Sequence, residues 1–405
     1  MTLRLTQEQL EIRELAREFS RGEIRPHAAA WDARRALDPG ILSGLGELGF
    51  LGMRIPEEYG GLGLDLQTYL LVLEELAWGD AALALAVAIH SGPVTSLLLR
   101  YGTEEQRARL LPGMAGGEVL GAFALSEDVA GSDARALQTR ASRTDGGWVV
   151  DGKKKWVSSG GRAGLILVFA KEEGGEGIHA FLVEAPTPGL TVGKRETTMG
   201  LAALDTVELE LDRVALGPEA LLGEEGRGFA MAMEAMEVGR LGVAVLAVGI
   251  GRAALEHARR YAGERVQFRR LLAEFQATRF KLAEMARRLA AARALALCGA
   301  QALEAAWGAE ANDGAEVGVL DPEAPSAGAL AAMAKVTATE AAMWITDEAV
   351  QIFGGYGYMR EYPVEKLLRD AKGTEIFEGT NEILRLVIAR DVMGASGGLK
   401  DYTEP

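Results

Sequence analysis

Apolar positions in the first 118 residues recur at helical spacing. Thr6 and Gln9 form a capping-box pattern ahead of Leu10, Leu15 and Phe19, which predicts a first helix that ends or bends near Pro26. Residues 39–64 mix short helical signals with glycine and proline, and their close at residues 56–63 is turn chemistry joining helices. A helix is expected over residues 66–77. Residues 81–99 lack Asp, Glu, Lys and Arg, but His90, Ser91, Gly92 and Pro93 interrupt them, which predicts two buried helical pieces rather than a membrane span. Thr103 and Gln106 repeat the capping box before a helix reaching near Leu111.

The period then changes. Short alternating or β-branched runs at 119–125, 137–141, 148–150, 165–169, 180–183 and 207–211 predict a β unit, a small barrel or sandwich. Val207, Leu209 and Leu211 alternate with Thr206, Glu208 and Glu210, the pattern of a half-exposed strand. Asp145-Gly146-Gly147 and Asp151-Gly152 are expected to be its turns, and the lysines at 153–155 a solvated strand edge. Residues 223–228 are rich in glycine but lack both the GxGxxG spacing and a surrounding βαβ unit, so they read as a linker into a helix starting near Phe229. Phe275, Leu282, Met285, Leu289, Ala292 and Ala296 keep a three-and-four spacing suited to a helical bundle. Residues 308–328 are expected to form an exposed connection. The resulting architecture is multi-domain α and β: helical over 1–118, β over 119–226, and a helical bundle over 227–405.

Composition narrows the function classes. Of 405 residues, 48% are hydrophobic and 25% charged, ordinary for a globular protein. A net charge of −15, from 43 basic against 58 acidic residues, argues against nucleic acid as a partner. The single cysteine, Cys298, falls in a helical pattern as a buried thiol, which excludes an internal disulfide. Four scattered histidines provide no metal-ligand spacing. The first residues lack the basic start and apolar run of a signal peptide, so a cytoplasmic location is expected.

With no phosphate loop, metal set or Ser/His/Asp spacing, catalysis would need a cofactor. Two stretches suit contacts to a planar ring: residues 125–133, with Ser126, and residues 155–160, with Trp156 and Ser158. Glu378, before Gly379 and a Thr380 cap, is either a partner for a helix dipole or a positioned base.

Residues 125–133, 154–160, 351–358 and 376–380, with further similar stretches at 56–63 and 361–371, resemble the acyl-CoA dehydrogenases from Leu5 to Arg390. The resemblance implies an N-terminal helical domain, a middle β domain and a C-terminal four-helix bundle, assembled as a homotetramer with one FAD per subunit. It implies that Ser126 and Ser158 hydrogen-bond the isoalloxazine ring and that Trp156 lies against it. Arg265, Gln267, Phe268 and Gln276 would hold the FAD of a neighbouring subunit. Gln351, Gly354 and Gly355 would approach the diphosphate and adenosine side, and Thr380 and Glu382 the flavin side.

By the same resemblance Glu378 is the catalytic base. It would remove the α-proton of an acyl-CoA thioester while the β-hydrogen leaves as hydride to FAD. The product is a trans-2-enoyl-CoA, and the electrons pass to an electron-transferring flavoprotein. Ser132, Glu237, Arg240 and Gly379 are implied as substrate contacts, although Glu237 and Arg240, three apart on one helix face, also suit a solvated ion pair. One subgroup places its base immediately before the arginine that matches Arg240; here that position is Gly239. His90 reads as a satisfied core or surface histidine ahead of a residue lining the acyl pocket. Departures from the family pattern are Asp128-Val129, Arg269 for the usual glycine, and Leu204 for a common serine. Competing readings keep the flavin but change substrate or acceptor, as in oxidases and nitroalkane-oxidising relatives, or make the protein a DNA-contacting relative.

Overall fold

The computed structural model describes residues 5–311 and 324–394. Its first unit contains α1 (Gln7–Phe19), α2 (Ala28–Arg34), α3 (Ile41–Glu47), α4 (Leu66–Gly79), α5 (Ala81–Ile89), α6 (Thr95–Tyr101) and α7 (Glu104–Gly116). Both expected capping boxes form: Thr6 and Gln9 satisfy each other's backbone N–H at the start of α1, and Thr103 and Gln106 do so for α7. The expected break at residues 90–93 does not interrupt the helix. His90–Val94 widen into a π-helical turn that joins α5 to α6 and accommodates Pro93. His90 is fully buried, with Nε2 placed to donate to the Met114 carbonyl at 3.1 Å and Nδ1 to accept from the Gly121 N–H at 2.9 Å. Burial lowers its pKa to about 4, so it is a neutral core histidine tying the helices to the first strand.

The β unit comprises β1 (Gly121–Ala124), β2 (Arg140–Thr144), β3 (Gly147–Ser158), β4 (Leu165–Glu172), β5 (Ile178–Glu184), β6 (Leu190–Arg195), β7 (Thr206–Leu216) and β8 (Leu221–Leu222). They form one sheet in the order β6-β7-β3-β2-β4-β5-β8, with β1 parallel to β4. Strand β4 is buried on both faces. Ile166, Val168 and Ala170 enter the unit's own core with Trp148, Val150, Phe181 and Leu209, while Leu165, Leu167 and Phe169 join the large core shared with the helices.

Two expectations about β3 are corrected. Asp151-Gly152 is not a turn but part of a bulge against β7, where Gly152 has φ 151° and a β-carbon would meet Thr139 Oγ1 at 2.6 Å. Nor are the lysines a solvated edge, because β7 pairs with Lys153 and Lys154 and the Lys155 N–H binds the Ser126 carbonyl. Lys153 pairs with Glu210 and Lys155 with Asp128 and Glu208. Lys154 is buried on Glu127 at 2.6 Å. Period-two alternation points every second residue inward, and the sequence reading did not apply it through the charged run.

After the turn at residues 223–227 comes α8 (Gly228–Glu264), the β9–β10 hairpin (Val266–Gln267 and Arg270–Leu271), α9 (Gln276–Ala311), α10 (Ala327–Phe353), α11 (Pro363–Thr374) and α12 (Asn381–Met393). The expected connection at 308–328 lies mostly outside the described residues, since 312–323 are not described. Helix α8 is the central rod, buried along Val238–Gly251 and packed on α4, α5, α9, α10 and α11. Cys298, on α9, is half-buried rather than enclosed. Three helices are long and apolar enough to cross a membrane by length and composition: Ala81–Tyr101, Gly228–Glu264 and Gln276–Gly308. The first two have 89% of their most apolar windows buried within the protein.

Buried ion pairs join the units. Glu74 and Glu75 of α4 receive Arg252 of α8, with Arg17 of α1 on Glu75 and Arg293 of α9 on Glu74. Lys366 of α11 bridges Asp80, the N-cap of α5, at 2.9 Å and Asp370 at 2.6 Å. Asp370 also accepts the Leu201 N–H from the β unit at 2.6 Å. Asp370 thus bonds directly to the second and third units and reaches the first through Lys366.

Candidate active site

Helix α11 ends at Thr374 and α12 begins at Asn381, where the Thr380 hydroxyl accepts the Ile383 N–H at 3.3 Å. Between them Glu378 adopts φ 56° and Gly379 φ 88°. A glutamate in the left-handed region is strained by its β-carbon, so its surroundings must hold it there. They do so from behind. The Asn381 N–H reaches the Glu375 carbonyl at 3.0 Å, and buried Lys335 of α10 donates to the Gly379 carbonyl and to Asn381 Oδ1, each at 2.9 Å. Thr339, one turn further along α10, meets the Asn381 amide at 3.0 Å. The sequence reading missed Lys335 and Asn381. Their signal was a lone lysine on the alanine-rich face formed by Ala331, Ala334, Ala338 and Ala342.

The turn aims Glu378 at α8. A β-carbon on Gly239 would lie 2.4 Å from Glu378 Oε2, and the next residue is Arg240, itself buried. Burial raises the Glu378 pKa to about 7, while Arg240 and Lys335 act in the opposite sense. Burial likewise lowers Lys335 to about 7, with Glu378 and Glu375 opposing. Tyr69 of α4 also senses the carboxylate; it is fully buried and donates to the Ala88 carbonyl at 3.1 Å. A β-carbon at Gly92 would stand 2.9 Å from its hydroxyl. Glu237 and Arg240 share the wall of an open cavity of about 440 Å³ with Ser326, Val387, Arg390 and Asp391. Arg240 therefore stands between this cavity and Glu378. Gly328, across the cavity, leaves room for the Glu237 carboxylate, which a β-carbon there would meet at 2.5 Å.

In the β unit Trp156 occupies an irregularity between Lys154 and Val157, with φ 55° and 52% of its surface exposed. Ser158 lies two residues on in the chain, and the Lys155 N–H, bonded to the Ser126 carbonyl at 2.9 Å, ties Ser126 to the residue before the indole. Beneath them Glu127 accepts from Lys154, Thr139 and the Gln138 N–H, which clamps the 125–131 loop to β3. Asp128, one of the departures from the family pattern, gains a partner in Lys155. Ser132 is exposed further along the loop. The Ser159 N–H binds the Asp205 carbonyl at 2.6 Å, and the same 201–205 segment presents Leu201 to Asp370 and to Gly373 in the last turn of α11, beside Phe377. The Trp156 wall and the Glu378 turn thus rest on one connecting segment. Leu204 is buried there as core.

The remaining expected contacts gather where α8 and α10 end. The β9–β10 turn places Phe268 and Arg269 at φ 51° and 63°, which explains why a glycine suits the second position. Phe268 projects with 89% exposure. The Arg265 guanidinium lies 5.4 Å from the Tyr356 ring, and Tyr261 stacks on Phe353 at 4.1 Å, so the hairpin and the Gly354–Tyr358 turn form one surface. Gln351, Gly354 and Gly355 are exposed on it, and a β-carbon on either glycine would meet nothing within 4 Å. Gln276 opens α9 and Glu382 lies in the first turn of α12, both exposed.

These features fit FAD. The exposed indole offers a flat face, the paired serines offer hydroxyls at a strand end, and the open glycine pair admits a phosphate close to the backbone.

Family models described as the N-terminal, middle and C-terminal domains of acyl-CoA dehydrogenase match residues 6–118, 122–214 and 226–393. An acyl-CoA dehydrogenase of Bacillus subtilis (strain 168) is 42% identical over 397 residues, 97% of this chain and 100% of that one. The structure of butyryl-CoA dehydrogenase from Megasphaera elsdenii matches with a TM-score of 0.90 and 38% identity, covering 97% of this chain and 100% of that one. An acyl-CoA dehydrogenase from Bacillus anthracis, solved complexed with FAD, matches with a TM-score of 0.87 and 32% identity over 96% of this chain and 68% of that one. From the three domain matches, the near-complete coverage and the Glu378 turn, it follows that this chain belongs to the acyl-CoA dehydrogenase family.

Proposed function

We propose that Glu378 is the base in the α,β-dehydrogenation of a short-chain acyl-CoA thioester, and that the electrons pass to an electron-transferring flavoprotein. The observation that carries this reading is the placement of the half-buried Glu378 on a left-handed turn facing Gly239, with its pKa raised to about 7. A base whose pKa lies near the working pH is ionised often enough to act and basic enough to take a carbon-bound proton. Among the described residues the Glu378 N–H takes no part in the backbone bonds that end α11, which leaves it to donate to the thioester carbonyl and acidify the α-carbon. When bound, FAD supplies the acceptor for the β-hydride.

Ser126 and Ser158 orient the ring system and Trp156 covers it, while Thr380 and Glu382 contact it from the helix side. Arg265, Gln267, Phe268 and Gln276 reach the cofactor of a neighbouring subunit, and Gln351, Gly354 and Gly355 line its diphosphate. This makes a homotetramer part of cofactor binding. The exposure of Phe268 and Tyr358 supports an assembled surface there. Ser132, Glu237, Arg240 and Gly379 serve the substrate. Tyr69, set against Ala88, Gly92 and Gly242, supports a shallow acyl pocket.

The test is anaerobic mixing with butyryl-CoA and octanoyl-CoA. Wild type bleaches its flavin faster with butyryl-CoA; Glu378→Gln keeps the yellow colour and loses bleaching by either. Normal turnover by the variant would refute the assignment of the base.

A further inference from the structure

Lys335 lies in the middle of α10 with none of its surface exposed. Both acceptors of its ammonium are neutral amide oxygens, the Gly379 carbonyl and Asn381 Oδ1 at 2.9 Å. Stripping an ammonium of water costs several kcal/mol or more, and amide oxygens return only part of it. A methionine would fill the same space without that cost. The cation is therefore present for its charge and its directed donors. Its two bonds fall on either side of Thr380, directly behind the one glutamate of the site that has a left-handed backbone.

The electrostatic surroundings extend the point. Glu378 is faced by Arg240 from α8, Lys335 from α10 and Tyr69 from α4. Lys335 is faced in turn by Glu378, Glu375, Glu382 and Arg240, and Glu237 acts on Arg240 from the same helix. Burial drives Glu378 toward its protonated form, and two cations on opposite elements resist this. Arg240 borders the open cavity, whereas Lys335 does not line it. Lys335 is sealed behind the loop, where its two hydrogen bonds fix the position of its ammonium.

We propose that Lys335 is a positioning residue for the base, fastening the Glu378–Gly379 turn from behind and placing beside it a positive charge that favours the ionised carboxylate. This rests on Glu378 being the base. The Lys335–Asn381–Thr339 set is then a single support, of which only the lysine contributes charge. Thr339 contributes a hydrogen bond alone.

The test compares pH profiles of kcat/KM for the FAD-loaded enzyme with butyryl-CoA in wild type, Lys335→Met, Asn381→Asp and Thr339→Val. Removing the cation in Lys335→Met should raise the acid limb by about one pH unit, the size of a single close charge. It should also lower kcat at neutral pH by roughly tenfold or more, through the loosened turn. Asn381→Asp retains the lysine and suits a helix N-terminus, but its carboxylate cancels the charge, so it should move the limb the same way. If Lys335→Met fails to fold, Asn381→Asp carries the comparison. Thr339→Val should leave the limb in place. Unmoved limbs in Lys335→Met and Asn381→Asp, or a Thr339→Val limb displaced equally, would overturn the proposal. Glu378→Gln run alongside separates the two readings: its inactivity with unmoved limbs rejects the Lys335 role alone, whereas its full activity rejects the base itself.

Discussion

Glu378 and Gly239 share one volume: the carboxylate fills the space a side chain at 239 would need, and a β-carbon there would lie 2.4 Å from Oε2. The family resemblance places an alternative base at that same helix position, so a carboxylate carried on residue 239 would claim the space that Glu378 fills. Gly239→Ala should fold normally, because the atom it meets is the end of a flexible side chain. It displaces that end by about an ångström or more, and turnover should fall roughly 100-fold with flavin content unchanged. Stopped-flow flavin reduction in the variant checks this.

The raised pKa of Glu378 has a consequence for stability. Its folded value of about 7 exceeds the ordinary carboxylate value of 4.5, so the folded state holds its proton more tightly than the unfolded state. The destabilisation is absent below the unfolded pKa, grows as pH rises through this interval, and is complete above the folded one. Glu378→Gln should therefore melt roughly 1–3 °C above wild type at pH 8.5 and level with it at pH 4.5. Paired thermal melts at the two pH values decide it.

Lys366 is the sole bridge drawn between Asp80 and Asp370 among the described residues. Burial alone would discharge it, but the two carboxylates outweigh burial and hold it protonated. Lys366→Met leaves both carboxylates buried and facing each other, at a cost of about 3–5 kcal/mol. Circular dichroism should show unfolding roughly 5–10 °C lower. Adding Asp370→Asn should recover part of that loss.

The Lys154–Glu127 pair holds the 125–131 loop beneath Ser126. In Lys154→Met the loop loses its clamp, and FAD affinity should weaken about tenfold or more, as when a supporting partner behind a ligand-contacting group is lost. Flavin fluorescence released on dilution measures it; unchanged retention would show that the loop holds itself.

The extent to which the sequence foretold this arrangement follows the physics of each element. Capping boxes at Thr6 and Thr103 and the alternation of β7 are local, and the structure matches them. Strand β6 lacks a buried face, and its six residues carry no alternation to read. Lys154 and Lys335 were hidden for a different reason: burial of a cation is decided by partners distant in sequence, Glu127 at 27 residues and Asn381 at 46. Glu378 could be picked out from its neighbours Gly379 and Thr380, but its orientation toward Gly239 is a tertiary fact. The π-helical turn at His90 depends equally on Met114 and Gly121, beyond the reach of local pattern.

The junction at Asp370 also constrains how this chain can be recombined. Its oxygens are shared by the Leu201 amide and Lys366, and Lys366 is shared by the Asp80 cap. A chimera that takes its β unit or first helices from a relative inherits only one side of this contact. Exchange succeeds when the donor segment brings an amide at the Leu201 position or a carboxylate at the Asp80 position. The chain is divisible by its elements into three units, yet interchangeable only as a matched set.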